Sequence, residues 1–270
     1  METGLSGQVV LVTGVSGGIG GEIAPAFLAE RARVVAHYHR ERERAEGALA
    51  GCAGHWRIQG GDLTQEADVT SLFAAAEGAF GHVDVLVANA GVWPPDDRPI
   101  HEMSLDQWNR TLAVDLTSVF LCAREFFRGI VRHKLDSPAV VLIGSTAGLF
   151  GEAGHADYAT AKAGLTHGLA KSLKNEICRI APRGRVNVVC PGWTVTPMVD
   201  RFTSQPEKVR RVLQTVPLRK VARPKDVAAA VVYLASEKLA GHITGQVLTV
   251  AGGMEGRVLY TPEEIDPGRA

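Results

Sequence analysis

The chain has 270 residues, of which 46% are hydrophobic and 21% are charged, and its 29 lysines and arginines balance 29 aspartates and glutamates. This composition is typical of a folded globular protein and excludes a disordered chain. The formal net charge of zero argues against a protein whose main task is to neutralise nucleic-acid phosphates. We therefore predict no nucleic-acid partner.

Metal binding and membrane insertion are also disfavoured. The four cysteines lie far apart and form no Cys-x-x-Cys pair or Cys/His cluster, so no metal site is predicted. No apolar run approaches the ~20 residues that a membrane helix needs, and the N-terminus lacks the basic and apolar regions of a signal peptide. The expected location is the cytoplasm, without membrane association.

Short β-branched runs alternate with longer helical stretches along the chain. The predicted strands are 9–13, 33–38, 56–60, 83–88, 139–143, 185–190 and 246–250. The predicted helices are 18–30, 41–50, 66–80, 105–133, 155–180 and 224–235. Most strands are continuous apolar runs, typical of a parallel sheet that is buried on both faces. The alternation predicts a doubly wound, seven-stranded, mostly parallel sheet with helices on both faces, a Rossmann-like α/β fold.

No linker, repeat or low-complexity stretch divides the chain, which predicts a single domain over residues 1–254. Pro25 lies inside the first predicted helix, where the loss of a backbone donor predicts a kink or an early end. Residues 255–270 contain two prolines and show no clear periodicity. This segment is either a mobile tail, which the sequence favours, or an arm that packs on a neighbouring subunit.

A glycine-rich turn at residues 14–20 (GVSGGIG) joins the first predicted strand to the first helix. In such a turn, backbone N–H groups and a helix N-terminus face an anion, and the missing Cβ atoms let a pyrophosphate approach closely. A glycine-rich turn alone is a weak signal, because many surface turns are rich in glycine. Its position between a strand and a helix favours a nucleotide site.

Three side chains have the chemistry that carbonyl reduction requires. A carbonyl oxygen gains negative charge as hydride reaches its carbon, and it must take a proton from a nearby acid. Tyr158 and Lys162 are four residues apart and share one face of a helix, where an ammonium group lowers a tyrosine pKa. Ser145 follows the strand 139–143 at its carboxyl end, where a hydroxyl can donate to the developing oxyanion.

Over roughly residues 5–254 the sequence resembles the short-chain dehydrogenase/reductase family, and within it most closely the 3-oxoacyl-[acyl-carrier-protein] reductases. The matching motifs are Thr13-Gly14-x3-Gly18-Ile19-Gly20, Asp62-Leu63, Asn89-Ala90-Gly91, Ser145, Tyr158-x3-Lys162, Pro191-Gly192-x3-Thr196-x-Met198, Pro217-Leu218, Arg223-Pro224, Asp226-Val227-Ala228, Gly245-Gln246 and Gly252-Gly253. The resemblance implies an oxidoreductase that transfers a hydride between a nicotinamide cofactor and a carbonyl or secondary alcohol. It also implies a homotetramer.

The resemblance also implies roles for individual residues. Tyr158 would donate the proton, Ser145 would polarise the carbonyl, and Lys162 would bind the nicotinamide ribose and lower the tyrosine pKa. The implied cofactor contacts are Gly14, Ser16, Gly18, Ile19, Gly20, Asp62, Leu63, Asn89, Gly91, Tyr158, Lys162, Pro191, Gly192 and Thr196. The family usually has asparagine where this chain has Asp115. Asp115 either supports the lysine, chiefly through its main-chain carbonyl, or is a polar residue that bends a helix.

The end of the second predicted strand bears on the choice of cofactor. It lacks the acidic residue that would bind the adenosine ribose, and Tyr38 occupies that place. Arg40 presents planar N–H donors that can clamp a 2′-phosphate. Against this, Gly17 stands where many NADP-using relatives have a basic residue, and Arg40 also fits a solvated helix start beside Arg42 and Arg44. The sequence favours NADP over NAD.

The substrate is expected above Tyr158, under a small lid at about residues 194–220. The candidate substrate contacts are Ser145, Ala147, Phe150 and Trp193, and Trp93 and the segment 198–213 are candidates for the rest of the lining. Trp193 indicates an apolar substrate body, or alternatively it caps the core.

Three functions fit the sequence. The first is a ketoreductase for acyl thioesters, and the second is an alcohol, sugar or steroid dehydrogenase of the same family. The third is a non-catalytic dinucleotide-sensing protein, which the complete Ser145, Tyr158 and Lys162 set disfavours. An acidic carrier protein would need basic docking residues, for which Arg124, Arg128, Arg132, Lys134, Lys171 and Lys174 are candidates. Solvated helix faces or a subunit interface explain these six residues equally well.

Overall fold

The computed structural model describes residues 2–196, 205–258 and 260–266, and its architecture confirms the predicted fold class. The strands form one seven-stranded sheet in the order β3-β2-β1-β4-β5-β6-β7, and every neighbouring pair is parallel. The strands are β1 (Val9–Val12), β2 (Arg33–Tyr38), β3 (Trp56–Gly60), β4 (Val85–Ala88), β5 (Ala139–Ile143), β6 (Arg185–Pro191) and β7 (Val247–Val250). The strand order reverses between β1 and β4, which opens a crevice at their carboxyl ends.

All six predicted helices are present, and three further short helices, at 147–150, 206–213 and 237–240, were not predicted. In chain order the helices are α1 (Gly18–Ala29), α2 (Arg42–Leu49), α3 (Glu66–Phe80), α4 (Leu105–Leu112), α5 (Ser118–His133), α6 (Ala147–Phe150), α7 (Ala156–Ala163), α8 (Ala170–Ile180), α9 (Pro206–Leu213), α10 (Pro224–Ala235) and α11 (Glu237–Ala240). A π-helical turn at Ala113–Thr117 joins α4 to α5, and another at Gly164–Leu169 joins α7 to α8. Each of the predicted helices 105–133 and 155–180 is therefore present as two α-helical segments that are joined by one wider, π-helical turn.

The two faces of the sheet carry separate apolar layers. In β1, Val9 and Leu11 pack in one layer, which also holds apolar residues of α3, α5 and α8. Val10 and Val12 pack in the other layer, with apolar residues of α1, α2 and α10. Because successive side chains alternate between two buried faces, β1 reads as an uninterrupted apolar run.

Pro25 lies in the middle of α1, and the helix continues past it to Ala29, so the predicted early end of this helix is wrong. A proline inside a helix removes one backbone hydrogen bond. The same segment buries Ala24, Phe27 and Leu28 in the layer that holds α10. Burial of this apolar face outweighs the lost hydrogen bond.

The predicted lid and tail are only partly within the described residues. Residues 197–204, with Met198, lie outside them, as do residues 267–270. The described part of the tail packs on the same chain: Ile265 contacts Val209 and Leu213 of α9, and Gln214 Nε2 donates to the carbonyl oxygen of Tyr260 at 2.8 Å.

Neither a membrane-spanning helix nor a metal-binding cluster occurs among the described residues. In the ranges given above, no helix has the length and apolar character needed to cross a bilayer. Within the same ranges, no group of three His, Cys, Asp or Glu side chains is arranged to hold a metal ion.

Candidate active site

A cleft of about 670 Å³ lies at the carboxyl ends of the strands. It brings together most of the predicted site residues: Gly14, Ser16, Gly18, Ile19, Gly20, Arg40, Asn89, Gly91, Asp115, Ser145, Ala147, Tyr158, Lys162, Pro191, Gly192, Trp193 and Thr196. The glycine-rich turn and the Ser145, Tyr158 and Lys162 set therefore share one cavity, as a hydride transfer between cofactor and substrate requires.

Three predicted residues lie outside the wall of this cleft. Asp62 stabilises the turn after β3, where its Oδ1 accepts hydrogen bonds from the N–H and the hydroxyl of Thr64 at 3.0 and 2.8 Å. These hydrogen bonds lower the pKa of Asp62. Leu63 is buried, and Phe150, at the end of α6, is 45% exposed. The cofactor contacts of Asp62 and Leu63 and the substrate contact of Phe150 remain predictions.

The glycine-rich turn is shaped by two close approaches. Gly14 has φ +72°, and a Cβ on it would lie 2.9 Å from the Cα of Ala90. A Cβ on Gly20 would overlap the carbonyl oxygen of Gly14 and lie 2.6 Å from Nδ2 of Asn89. The residue before the helix, at its N-cap, is Gly17, which has no side chain to cap the first N–H groups. These N–H groups and the open space beside the glycines fit the pyrophosphate of a dinucleotide.

His37 holds this turn in place, a role that the sequence did not reveal. It is buried at the end of β2, where the N–H of Gly14 donates to its Nδ1 at 3.3 Å. Its Nε2 lies 3.0 Å from the carbonyl oxygen of Gly61, so this nitrogen carries the proton. Burial lowers the pKa of His37 to about 4, which keeps the ring neutral.

The adenosine end of the cleft carries a cluster of basic side chains. Arg40 is exposed and contributes to the wall of the cleft. Its neighbours are committed to other partners: Arg44 pairs with Glu41 at 3.2 Å, and Arg42 pairs with Glu46 at 2.8 Å. Within the described part of the chain, no carboxylate lies at salt-bridge distance from Arg40. Its guanidinium is therefore available for an anionic ligand.

Ser145, Tyr158 and Lys162 meet in the middle of the cleft. Ser145 follows β5, and its Oγ accepts a hydrogen bond from the N–H of Ala147 at 3.1 Å. The Nζ of Lys162 lies 5.6 Å from the centre of the Tyr158 ring and donates to the carbonyl oxygen of Ile143 at 3.3 Å. The carboxyl end of β5 thus positions Ser145, and one turn of α7 places Tyr158 and Lys162 beside it.

The pKa of Tyr158 differs in direction from the expectation. Burial raises it, and the Asp115 carboxylate adds to this effect. Lys162 pulls the pKa down, as the sequence indicates, and a hydrogen bond with Ser145 does the same. Together they do not offset burial and Asp115, so the pKa of Tyr158 lies above its ordinary value.

Asp115 is fully buried in the π-helical turn and contacts Lys162 directly. Its Oδ1 lies 3.1 Å from Nζ of Lys162. Burial raises the pKa of Asp115, although Lys162 and the N–H of Val92 oppose this shift. Burial alone would lower the pKa of Lys162, yet the charges of Asp115 and Tyr158 raise it above its ordinary value.

The substrate end of the cleft is lined by aromatic and acidic side chains. Trp93 and Trp193 meet edge to face, with ring centres 6.2 Å apart. Behind them, Trp93 stacks on the buried ring of His155 at 4.7 Å. Glu152 lines the cleft as well, and burial raises the pKa of its carboxyl. Glu152 and His155 were not predicted as site residues, and no motif marks either of them.

Comparisons with known proteins cover most of the chain. The family model for enoyl-(acyl carrier protein) reductase matches residues 14–255. A 3-oxoacyl-[acyl-carrier-protein] reductase of Synechocystis is 34% identical, over 93% of this chain and 98% of the relative. One from Salmonella typhimurium is 36% identical, over 92% and 97%. An acetoacetyl-CoA reductase of Acinetobacter is 35% identical, also over 92% and 97%.

Proposed function

The chain belongs to the short-chain dehydrogenase/reductase family, and from this premise we propose that it is an NADPH-dependent reductase of 3-oxoacyl thioesters. Membership makes the protein an oxidoreductase that acts on carbonyl and alcohol groups with a nicotinamide dinucleotide. NADPH as the preferred cofactor and a thioester as the substrate are the parts that we propose.

The observation that carries the proposal is the position of Ser145, Tyr158 and Lys162 in one cleft with the glycine-rich turn. The dinucleotide, when bound, supplies a hydride to the substrate carbonyl. The Tyr158 hydroxyl donates a proton to the carbonyl oxygen, and the Ser145 hydroxyl donates a hydrogen bond to the same atom. Because its pKa is raised, Tyr158 is protonated near neutral pH, which is the form that reduction needs.

The preference for NADPH is supported by the adenosine end of the cleft. Arg40 lines the wall there without a carboxylate partner among the described residues. A guanidinium binds a phosphate through parallel charge-assisted hydrogen bonds. Tyr38, at the end of β2, leaves no acidic group in the place where one would repel the 2′-phosphate of NADP.

The thioester substrate is supported by the relatives and by the substrate end of the cleft. The matched proteins are named as reductases of 3-oxoacyl-[acyl-carrier-protein] and acetoacetyl-CoA. Trp93 and Trp193 present apolar faces that suit an acyl chain. Of the candidate docking residues, Arg124 pairs with Glu66, and Arg132 pairs with Glu77. We therefore propose the acyl thioester, rather than contacts with a carrier, as the recognised feature.

Self-association into a homotetramer is part of the same proposal. A groove on α5 and α8 is lined by the apolar side chains Phe120, Val131 and Ile180, which are 45%, 59% and 38% exposed. Exposed apolar surface of this kind favours a protein partner, and a second copy of the chain would bury it.

The test is NADPH oxidation with acetoacetyl-CoA, a 3-oxoacyl carrier protein, simple ketones, sugars and steroids. We expect the two thioesters to give the highest kcat/KM. Replacement of the proton donor in Tyr158→Phe should lower turnover by roughly two to four orders of magnitude and leave NADPH binding near that of the native chain.

The matched control is Tyr233→Phe, which changes an exposed tyrosine of α10 in the same way and should leave turnover unaltered. Tight NADPH binding without turnover of any carbonyl compound would contradict the proposed function. Near-native turnover of Tyr158→Phe would contradict the role of Tyr158.

A further inference from the structure

A second buried charge lies directly beside the lysine of the active site. The Asp115 side chain is fully buried in the π-helical turn between α4 and α5 and faces the cleft. We propose that Asp115 is a positioning residue, which pairs with Lys162 and thereby keeps Tyr158 in its proton-donating form. This inference rests on the proposed function, because it concerns the proton donor of that reaction.

The contacts around Asp115 are those of an ionised carboxylate. Its Oδ1 lies 3.1 Å from Nζ of Lys162. The N–H of Val92 points at both oxygens, 3.2 Å from Oδ1 and 3.3 Å from Oδ2. All these contacts are made by donors, which an ionised carboxylate accepts without having to place a hydrogen of its own. Asp115 and Lys162 are therefore a buried ion pair.

The ion pair limits what Lys162 can do for Tyr158. An ammonium group has three N–H donors. One is directed at Asp115 and one at the carbonyl oxygen of Ile143 at 3.3 Å, which leaves one for the cleft. A carboxylate at 3.1 Å also cancels much of the field that the ammonium exerts on the phenol. With an uncharged residue at 115, Lys162 would stabilise the phenolate far more strongly.

Other groups around Tyr158 do not replace this effect. On the neighbouring elements, four groups act on Tyr158 or on the ion pair of Lys162 and Asp115. They are Ser145, Glu152, Asp157 and Cys190. Burial raises the pKa of the Cys190 thiol to about 11, so it is uncharged near neutral pH. Glu152 raises the pKa of Tyr158 and ranks behind Asp115 in doing so. A substitution that removes the charge of Asp115 is therefore the direct test of this effect.

The substitution Asp115→Asn removes the charge and keeps the shape. The pKa of Tyr158 should then fall by about one unit, because the like charge of the carboxylate no longer disfavours the phenolate and the Lys162 ammonium acts on it unopposed. Reduction needs the phenol, so the alkaline limb of its kcat/KM profile should move to lower pH by the same amount. Oxidation of the alcohol needs the phenolate, so its acid limb should move down as well.

A titration of the cofactor-free protein tests the same point without catalysis. Ultraviolet tyrosinate absorbance, with the curve of Tyr158→Phe subtracted, gives the pKa of Tyr158 directly. The control is Glu125→Gln, which removes another buried carboxylate that pairs with Arg128 and lies outside the wall of the cleft. We expect the Tyr158 titration and both pH limbs of this control to stay in place.

An unchanged Tyr158 titration in a folded Asp115→Asn protein would overturn the inference, and so would an equal shift in Glu125→Gln. If Asp115→Asn does not fold, Asp115→Ser removes the same charge and carries the same expected shift. A shifted titration in a protein that reduces no carbonyl would reject the proposed function and uphold the ion pair. Turnover with an unmoved titration would reject only the role of Asp115.

Discussion

The two ends of the cleft are built from different parts of the chain. At the cofactor end the wall is largely backbone, since residues 14–20 offer N–H groups and space rather than side chains. At the substrate end the wall consists of side chains, among them Trp93, Trp193 and Glu152. Backbone geometry tolerates few residue types, whereas many side-chain combinations can line a pocket. The first end therefore has a clear sequence motif, whereas at the second the sequence predicted Trp93 and Trp193 and missed Glu152.

The strongest test of the backbone-built end is Gly20→Ala. The added Cβ would overlap the carbonyl oxygen of Gly14 and approach Nδ2 of Asn89 to 2.6 Å, so the turn must open. Overpacking of this kind costs about 1–3 kcal/mol of stability. We expect a lower melting temperature and a loss of measurable NADPH binding by fluorescence titration.

Gly47→Ala is the matched control, because a Cβ on this glycine of α2 meets nothing within 4 Å. It should stabilise the protein by about 0.5–1 kcal/mol, since alanine is the better helix former. Normal NADPH binding in Gly20→Ala would show that the cofactor end does not depend on the bare backbone.

Arg40→Ala tests the one side chain that the cofactor end is proposed to need. Loss of hydrogen bonds from a charged group to the 2′-phosphate removes about 1.5 kcal/mol, or about tenfold in affinity for NADPH. Affinity for NADH should stay unchanged, because that cofactor lacks the phosphate. The nearby Arg42→Ala, which removes a residue paired with Glu46, should affect neither cofactor. An equal loss for NADPH and NADH would disprove the clamp.

The smallest effect is expected at the side-chain-built end, from Trp93→Phe. Phenylalanine keeps a ring that can stack on His155 and loses part of the apolar face at the substrate end. Loss of apolar contact of about one methylene group is worth about 1 kcal/mol, so KM for acetoacetyl-CoA should rise about fivefold. NADPH affinity should not change, and Trp108→Phe, outside the cleft wall, should alter neither quantity. A matching loss of NADPH affinity would show that the two ends are not separate.

The sequence was sufficient for the fold and for most of the cleft. The strands were recognisable because β1 and its neighbours are buried on both faces, which forces continuous apolar runs. Gly14, Ser145, Tyr158 and Lys162 were recognisable because their spacing is tied to a turn, a strand end and a helix face. All four line the cleft.

What the sequence did not reveal depends on tertiary contacts. The role of His37 follows from its distances to Gly14 and Gly61, which belong to separate elements. The upward shift of the Tyr158 pKa needs the extent of burial and the position of Asp115, neither of which the spacing to Lys162 contains. Local pattern predicts which groups are present, and only packing decides their net effect.

The π-helical turn at Ala113–Thr117 has a consequence for protein engineering. Such a turn inserts one residue, which shifts the helical phase by about 100°. A helical-wheel diagram drawn through residues 105–133 as one regular helix would therefore assign the wrong orientation to one half. Redesign of the outer face of α5 should count its period from Ser118, and then the orientation of Asp115 is preserved. The long helix therefore has two segments with different angular registers, joined at the turn that carries Asp115.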